Sequence, residues 1–443
     1  MAAVAGIATR TMREGEAHAG LWDIGGKSRI MPKGVRLCRN RRDTHLRLGR
    51  TLGRRVIIIV LDGVGAGGAP DAAKFGDEGS NTLGNTARAV GEMKLQHLGA
   101  LGLGNVVEIG GTPPVAAPRA SYGLMQARSA AKATLAGHWE MMGIVLRDPL
   151  PAYPDGFPKE VILRFEEETG RGVIGNRPAS GTEIIEELGP EQEATGTWIV
   201  YTSADSVFQV AAHTGVIPLE ELYTACKKAH GLLIGEGQIL VERVIARPYH
   251  GQPGAYEREN ENRHDYGITP PSNTYMYLTK NAGHEVVAVG KVRDVFDGRG
   301  ITEHLPGQPD DAAKVDAVLE ALGRIESGLI FANLVDFDAK YGHRRDPRGM
   351  AENLMRFDKR VPELLQALSN DDLLIITADH GNDPTFKGTD HTRERVPLLV
   401  ARGPAEGKPR DLGIRGSFAD VGATAAAWLG VNGERLPGED VLR

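Results

Sequence analysis

The run VIIIVLDG at residues 56–63 is six aliphatic residues closed by Asp62 and Gly63. A β-branched run of this length reads as a buried parallel strand. Two later runs have the same shape. GLIFANLVDFDAKYGH at 328–343 carries Asp338 and His343, and DLLIITADHGND at 372–383 carries Asp379 and His380, with His391 following in a DHT. Ligands in open α/β sheets gather just beyond the carboxyl ends of such strands. Acids and histidines scattered along the chain are therefore expected to meet in one place.

The composition fits that reading. With 443 residues the chain exceeds one ordinary core, which favours two domains or one domain carrying an insertion. The 57 glycines and 25 prolines predict many turns joining short elements. Residues 1–55 hold 13 Lys+Arg against 4 Asp+Glu, a balance of +9 that leaves the rest at −15 of the total −6. An acidic body argues against a general nucleic-acid surface. The basic head, residues 1–54, lacks a clean apolar or amphipathic targeting pattern and is read as a poorly ordered extension. No stretch approaches the roughly 20 apolar residues that span a bilayer. Only Cys38 and Cys226 occur, too few for a disulfide framework, and a reducing cytoplasm is expected.

Proline clusters divide the body. DPLPAYPDGFPKE at 148–160 holds four prolines, and RHDYGITPPSNT at 263–274 carries Pro270 and Pro271. Between them VILRFEEETG, TEIIEELG and LEELYTACKKAHGLLI read as helical, TWIVYTSADSVFQVAA as a strand and loop, and ILVERVIARPY as a strand. Residues 151–270 thus form an expected inserted domain, with 55–150 and 271–443 as the core. TYMYLTKNAG and the segment near 310–325 predict helices, and HEVVAVGKV and VPLLVARG predict strands.

Mixed carboxylate and imidazole ligands suit Mn²⁺ or Zn²⁺ better than Ca²⁺, which prefers oxygen. Each residue singly has a plainer reading, as a cap or a hydrogen-bonded structural group. Independent capping would not place His beside Asp at two strand ends. Paired metals serve phosphoryl transfer, which needs a nucleophile. Thr134 in KATLAGHWE stands where a loop is expected to enter a helix, a place that favours a phosphate or, alternatively, an N-cap threonine.

The strings AGHWEMMG (136–143), SADSVFQVAAH (203–213), RVIARPY (243–249), NRHDY (262–266), NLVDFDAKYGHRRD (333–346) and TADHGNDPTFKGTDHTRERVP (377–397) resemble the phosphopentomutase family of the alkaline phosphatase superfamily. The resemblance runs from about Val56 to the C-terminus. It implies an α/β core with a mainly parallel sheet flanked by helices, and an inserted smaller α/β cap. It also implies two Mn²⁺ and interconversion of ribose 1-phosphate with ribose 5-phosphate, including the 2-deoxy sugars. By motif, Asp62, Asp338, His343, Asp379, His380 and His391 match the metal ligands and Thr134 the phosphorylated threonine. Ser203, Asp205 and Val207 match cap residues near substrate, and Arg243, Arg258 and Lys291 match the cations receiving the sugar and its distal phosphate. A sugar bisphosphate activator such as glucose 1,6-bisphosphate is implied for priming.

The family commonly reads K-D-T-x-T-G-H-W-E where this chain has Lys132-Ala133-Thr134-Leu135-Ala136-Gly137-His138-Trp139-Glu140. Thr134 is therefore the one hydroxyl in that string. The interval from Arg258 to Arg263 is one residue longer than the family's. Competing readings are another phosphotransferase on the same core, such as a cofactor-independent phosphoglycerate mutase or a phosphomonoesterase, and a metal-stabilised binding protein using its basic head. The expected partners are small pentose phosphates, with no nucleic acid, membrane or obligate protein partner.

Overall fold

A computed structural model describes residues 53–149, 151–203, 206–235, 238–239, 241–404 and 408–443. The basic head up to residue 52, with Cys38, and Asp205 of the expected substrate set lie outside the described residues. The strands in chain order are β1 (Arg55–Leu61), β2 (Ser121–Met125), β3 (Val173–Pro178), β4 (Trp198–Thr202), β5 (Val207–His213), β6 (Ile234–Gly235), β7 (Gln238–Ile239) and β8 (Arg243–His250). They continue with β9 (Glu257–Arg258), β10 (His264–Gly267), β11 (Glu285–Val289), β12 (Glu303–Leu305), β13 (Gly328–Leu334), β14 (Asp372–Thr377), β15 (Val396–Arg402) and β16 (Asp411–Arg415).

The three runs that end in acids are the three adjacent strands β13, β1 and β14, at the centre of an eight-stranded sheet ordered β12-β11-β13-β1-β14-β15-β2-β16. They pair in parallel, with Leu61 beside Leu334 and Val60 beside Thr377, so their carboxyl ends finish level. Every residue of the three strands is buried, which is why they read as unbroken apolar runs rather than alternating ones. Truncating one of them, as in Ile58→Ala, removes contacts worth about 2–5 kcal/mol. At the opposite ends Arg55 forks onto Asp372 at 2.8 and 2.5 Å, a buried pair pinning β1 to β14. The sheet is mainly parallel. VPLLVARG is a strand as expected, and β15 runs antiparallel to both β14 and β2.

The smaller sheet, ordered β10-β8-β5-β4-β3 with β9 against β8, lies in the chain between β2 and β11 of the larger one. Its strands alternate. Trp198, Val200 and Phe208 pack with helices Lys159–Thr169 and Leu219–Leu233, in a cluster that also buries Cys226. Ile199, Tyr201 and Ala211 pack on the other side against Ile184 and Ile185 of helix Gly181–Thr195. The segment expected as one strand and a loop, TWIVYTSADSVFQVAA, instead contains two strands, β4 and β5, that pair antiparallel. The apolar residues of both strands made the segment read as one element. The HDYG part of the stretch that leads to Pro270 and Pro271 is β10.

Candidate metal centre and adjoining cleft

Asp62 follows β1 directly, and Gly63 turns the chain with φ 75°, a left-handed value that favours glycine. A Cβ there would sit 3.1 Å from Asn382 Cβ and 3.3 Å from Asp338 Oδ1, and the Gly63 N–H donates to Asp379 Oδ1 at 3.1 Å. The DGVGAGG string therefore lets three strand ends crowd together. Beyond β13 the chain makes a short π-helix, Phe337–Gly342. Five residues turn an α-helix so that the first and last point about 140° apart. The wider π turn brings Asp338 and His343 to one side, with His343 Nε2 3.2 Å from Asp338 Oδ2.

Two triads result. Asp62, Asp379 and His380 form one, and Asp338, His343 and His391 the other, each offering ligand atoms within 4.8 Å of one another. They adjoin where the His380 and His391 rings lie 4.1 Å apart. All six metal residues expected from sequence thus come together.

The donor set fits divalent cations. His391 Nε2 is buried without a hydrogen bond, although Asp338 Oδ1 lies at ion-pair distance, 3.4 Å. Burial works against a charge on His380, yet Asp379, Asp62 and Asp338 hold its pKa up at about 10. Burial likewise opposes ionisation of Asp338 and Asp379, and the surrounding histidines keep both carboxyls well below the usual range. The pocket accumulates negative charge that a cation would balance.

Thr134 is the first residue of helix Thr134–Met141, and the capping position belongs to Ala133, whose side chain accepts nothing. The plain N-cap reading therefore does not describe it. Its hydroxyl is buried, 3.2 Å from His380 Nε2 and 3.5 Å from Asp62 Oδ1. Gly137 allows this approach, since a Cβ there would stand 2.2 Å from the Asp379 carbonyl oxygen.

Several residues of this centre were passed over or left undecided in the sequence. His138 Nδ1 lies 2.9 Å from the Thr134 carbonyl and 3.1 Å from Asp379 Oδ2, while its Nε2 faces the Asn333 amide at 3.2 Å. Two acceptors on one nitrogen and a donor on the other assign the proton to Nδ1. Asn333 also donates to Asp62 Oδ2 at 3.0 Å, so Asn333 and His138 join the acids of the first triad. Asn382 donates to Asp338 Oδ1 at 2.7 Å. Glu140 accepts from the backbone N–H groups of Arg128, Ser129 and Phe418 and from the Ser417 hydroxyl, fastening the loop that leads to Thr134. The GHWE, FANLVD and DHGND strings carried these residues, but nothing in their spacing announced the contacts.

A cleft of about 650 Å³ opens beside Thr134. Arg243 and Lys291 line it, as do Arg263, His264, Asp265 and Arg293. Arg243 contacts Glu242 at 2.7 Å and Asp265 at 3.5 Å, and Arg263 forks onto Asp265 at 2.7 and 2.6 Å. Ser203, Val207 and Arg258 are not among its lining residues. Val207 is buried in β5 beside Arg243 of β8, and Arg258 lies near Gly181 and Tyr201.

Among the described residues no helix is long and apolar enough to cross a membrane. A family model described as the metalloenzyme superfamily matches residues 54–433. The chain is 51% identical over 389 residues to a phosphopentomutase of Dictyoglomus thermophilum, covering 88% of this chain and 98% of that protein. A solved structure from Pyrococcus horikoshii is 17% identical, covers 86% of this chain and 98% of its own, and has a TM-score of 0.45. A Leishmania mexicana phosphoglycerate mutase determined at low cobalt concentration is 13% identical, covers 89% and 98%, and has a TM-score of 0.40. The family match and the long, half-identical alignment together show that the chain belongs to the phosphopentomutase family of metalloenzymes, and so is an isomerase of the phosphomutase kind.

Proposed function

We propose that the protein interconverts ribose 1-phosphate and ribose 5-phosphate, and the 2-deoxyribose phosphates, through a phosphorylated Thr134 and a sugar bisphosphate, in the pentose and nucleoside metabolism of the cytoplasm. The observation that carries this reading is the buried Thr134 hydroxyl set between Asp62 and His380, beside a cleft whose lining includes Arg243, Arg263, Lys291 and Arg293 along with four acids. Asp62, Asp379 and His380 would hold one Mn²⁺ and Asp338, His343 and His391 the other. Bound there, paired divalent cations stabilise the entering and leaving oxygens of a phosphoryl transfer and favour ionisation of a coordinated hydroxyl.

The chain's own residues do the rest. The phosphoryl group passes from Thr134 Oγ1 to the free hydroxyl of the pentose monophosphate: the Oγ1–P bond breaks, a sugar O–P bond forms, and the hydroxyl proton ends on Thr134. After the bisphosphate turns end for end, Thr134 takes the other phosphoryl group by the reverse step. Arg243 and Lys291 neutralise the phosphate that is not reacting. Residues 151–270 act as a cap whose closure excludes water, which would otherwise drain the phosphoenzyme. The sequence resemblance adds Ser203, Asp205, Val207 and Arg258 of the cap as residues near the substrate. A sugar bisphosphate such as glucose 1,6-bisphosphate primes Thr134.

The test is an assay of purified protein with Mn²⁺, ribose 1-phosphate and a trace of glucose 1,6-bisphosphate. Ribose 5-phosphate should form without free phosphate. Phosphate release alone would make it a phosphomonoesterase, and activity only on phosphoglycerate would assign it to the other mutases.

A further inference from the structure

Arg345 holds a left-handed backbone, with φ 54°, which a residue bearing a side chain rarely adopts. Conformations of that kind persist only where surrounding contacts impose them, and they gather at functional sites. Here the contacts are made by the guanidinium. Its Nη1 donates to the Gly342 carbonyl at 3.0 Å, to Asn382 Oδ1 at 2.7 Å and to the Asp383 carbonyl at 2.9 Å. Its Nη2 donates to the Asp390 carbonyl at 3.0 Å, and its Nε to the Gly388 carbonyl. The backbone N–H of Arg345 also reaches the Gly342 carbonyl, at 3.1 Å. One side chain thus ties the end of the π turn to the loop at 383–390.

The outer part of that loop is not held by burial. Residues 385–390 are exposed apart from half-buried Phe386, and they lie outside every helix and strand. Lys132 meets the Asp390 carboxylate at 3.1 Å, while Arg345 takes the backbone carbonyls. The loop nevertheless serves the second triad. The Thr389 carbonyl accepts from His343 Nδ1 at 2.7 Å, which leaves Nε2 of that ring facing Asp338. Thr389 stands between Gly388 and Asp390, the two carbonyls that Arg345 grips, and His391 follows Asp390 directly. Asn382, whose side-chain oxygen Arg345 fixes, turns its amide nitrogen to Asp338 Oδ1 at 2.7 Å. Each ligand of the triad is therefore bonded to, or adjoins, a group that Arg345 holds.

We infer that Arg345 is a positioning residue for the second metal triad. Spread over five uncharged oxygens, it keeps Asp338, His343 and His391 at ligating spacing before a cation arrives, an inference that rests on the proposed metal pair. None of those oxygens is a ligand atom, so Arg345 acts through its neighbours. The acids of the first triad are ordered separately, by Asn333 and His138. A lysine would keep the charge at position 345, but a single ammonium cannot replace a planar fork.

The test titrates metal-free Arg345→Lys with Mn²⁺ in a calorimeter. One of the two ions should bind about 10–100-fold more weakly than in wild type, with the other within about threefold. In a His343→Ala background, which lacks one ligand of the second triad, Arg345→Lys should change nothing further. An arginine that merely supports the fold would weaken the remaining ion there too. Arg345→Gly, suited to a left-handed backbone, should show the same loss and keeps the test decisive where the lysine variant folds poorly. Wild-type affinity at both sites in a folded variant, or equal weakening of both, overturns the inference. The metal-free proteins give a second readout: trypsin should cut after the exposed Lys387 several-fold faster in the variant than in wild type. Equal cleavage overturns the clamp, whereas a wild type that binds fewer than two ions removes the proposed metal pair instead.

Discussion

The backbone N–H of His343 donates to the carbonyl oxygen of Asp338, five residues back, at 3.0 Å. This one π-type bond sets an acid and an imidazole side by side at the end of β13, where α-helical winding would splay them. His343 belongs to the second triad only. His343→Ala should therefore retain about one divalent ion per chain, and wild type about two, in elemental analysis after loading with Mn²⁺ and desalting. Loss of both ions, or of neither, would mean that the triads are not separate sites.

His138 and Asn333 contact each other through Nε2 and the amide nitrogen, 3.2 Å apart. They bridge Asp62 to Asp379 and fix the acids that face Thr134. Groups that orient metal ligands typically affect affinity by about 10–100-fold. His138→Gln should weaken Mn²⁺ binding by that order in calorimetric titration, with the fold intact by circular dichroism. Unchanged affinity in a folded variant would reduce His138 to a packing residue.

Glu394 is buried, and that burial pushes its carboxyl up from 4.5 to about 7, against hydrogen bonds from Thr392 and Thr82. A raised folded-state value means that the native protein holds the proton more tightly than the unfolded chain does. The contribution is therefore full below about pH 4.5 and lost as pH rises through about 7, by at most about 1.4 kcal/mol per pH unit. Urea unfolding from pH 5 to 7.5 should show wild type losing stability relative to Glu394→Gln. A difference that is flat or grows with pH would contradict this.

How much could be read from the chain follows from what burial does to a pattern. The strands β1, β13 and β14 were legible because they are covered on both faces, and so was the meeting of Asp62, Asp338 and Asp379 at their ends. The histidines followed, since His380 and His343 lie within a few residues of those ends. The antiparallel pairing of β4 with β5 was hidden because the two strands are similarly apolar and read as one element. His138, Asn333 and Glu140 could not be assigned, because a buried polar group takes its meaning from partners far off in sequence. For Glu140 these include Ser417, 277 residues away. The cap arginines show the limit most clearly. Arg243 lies in the cleft and Arg258 beside Tyr201, a distinction set by strand register rather than by motif.

The central claim is that Thr134 carries the transferred phosphoryl group. Incubation with radiolabelled glucose 1,6-bisphosphate and Mn²⁺, followed by proteolysis and peptide mass analysis, tests it directly. Label on the peptide containing Thr134, and none in a folded Thr134→Ala protein, is the predicted result. A Thr134→Ala protein that takes up label to the wild-type extent would contradict it.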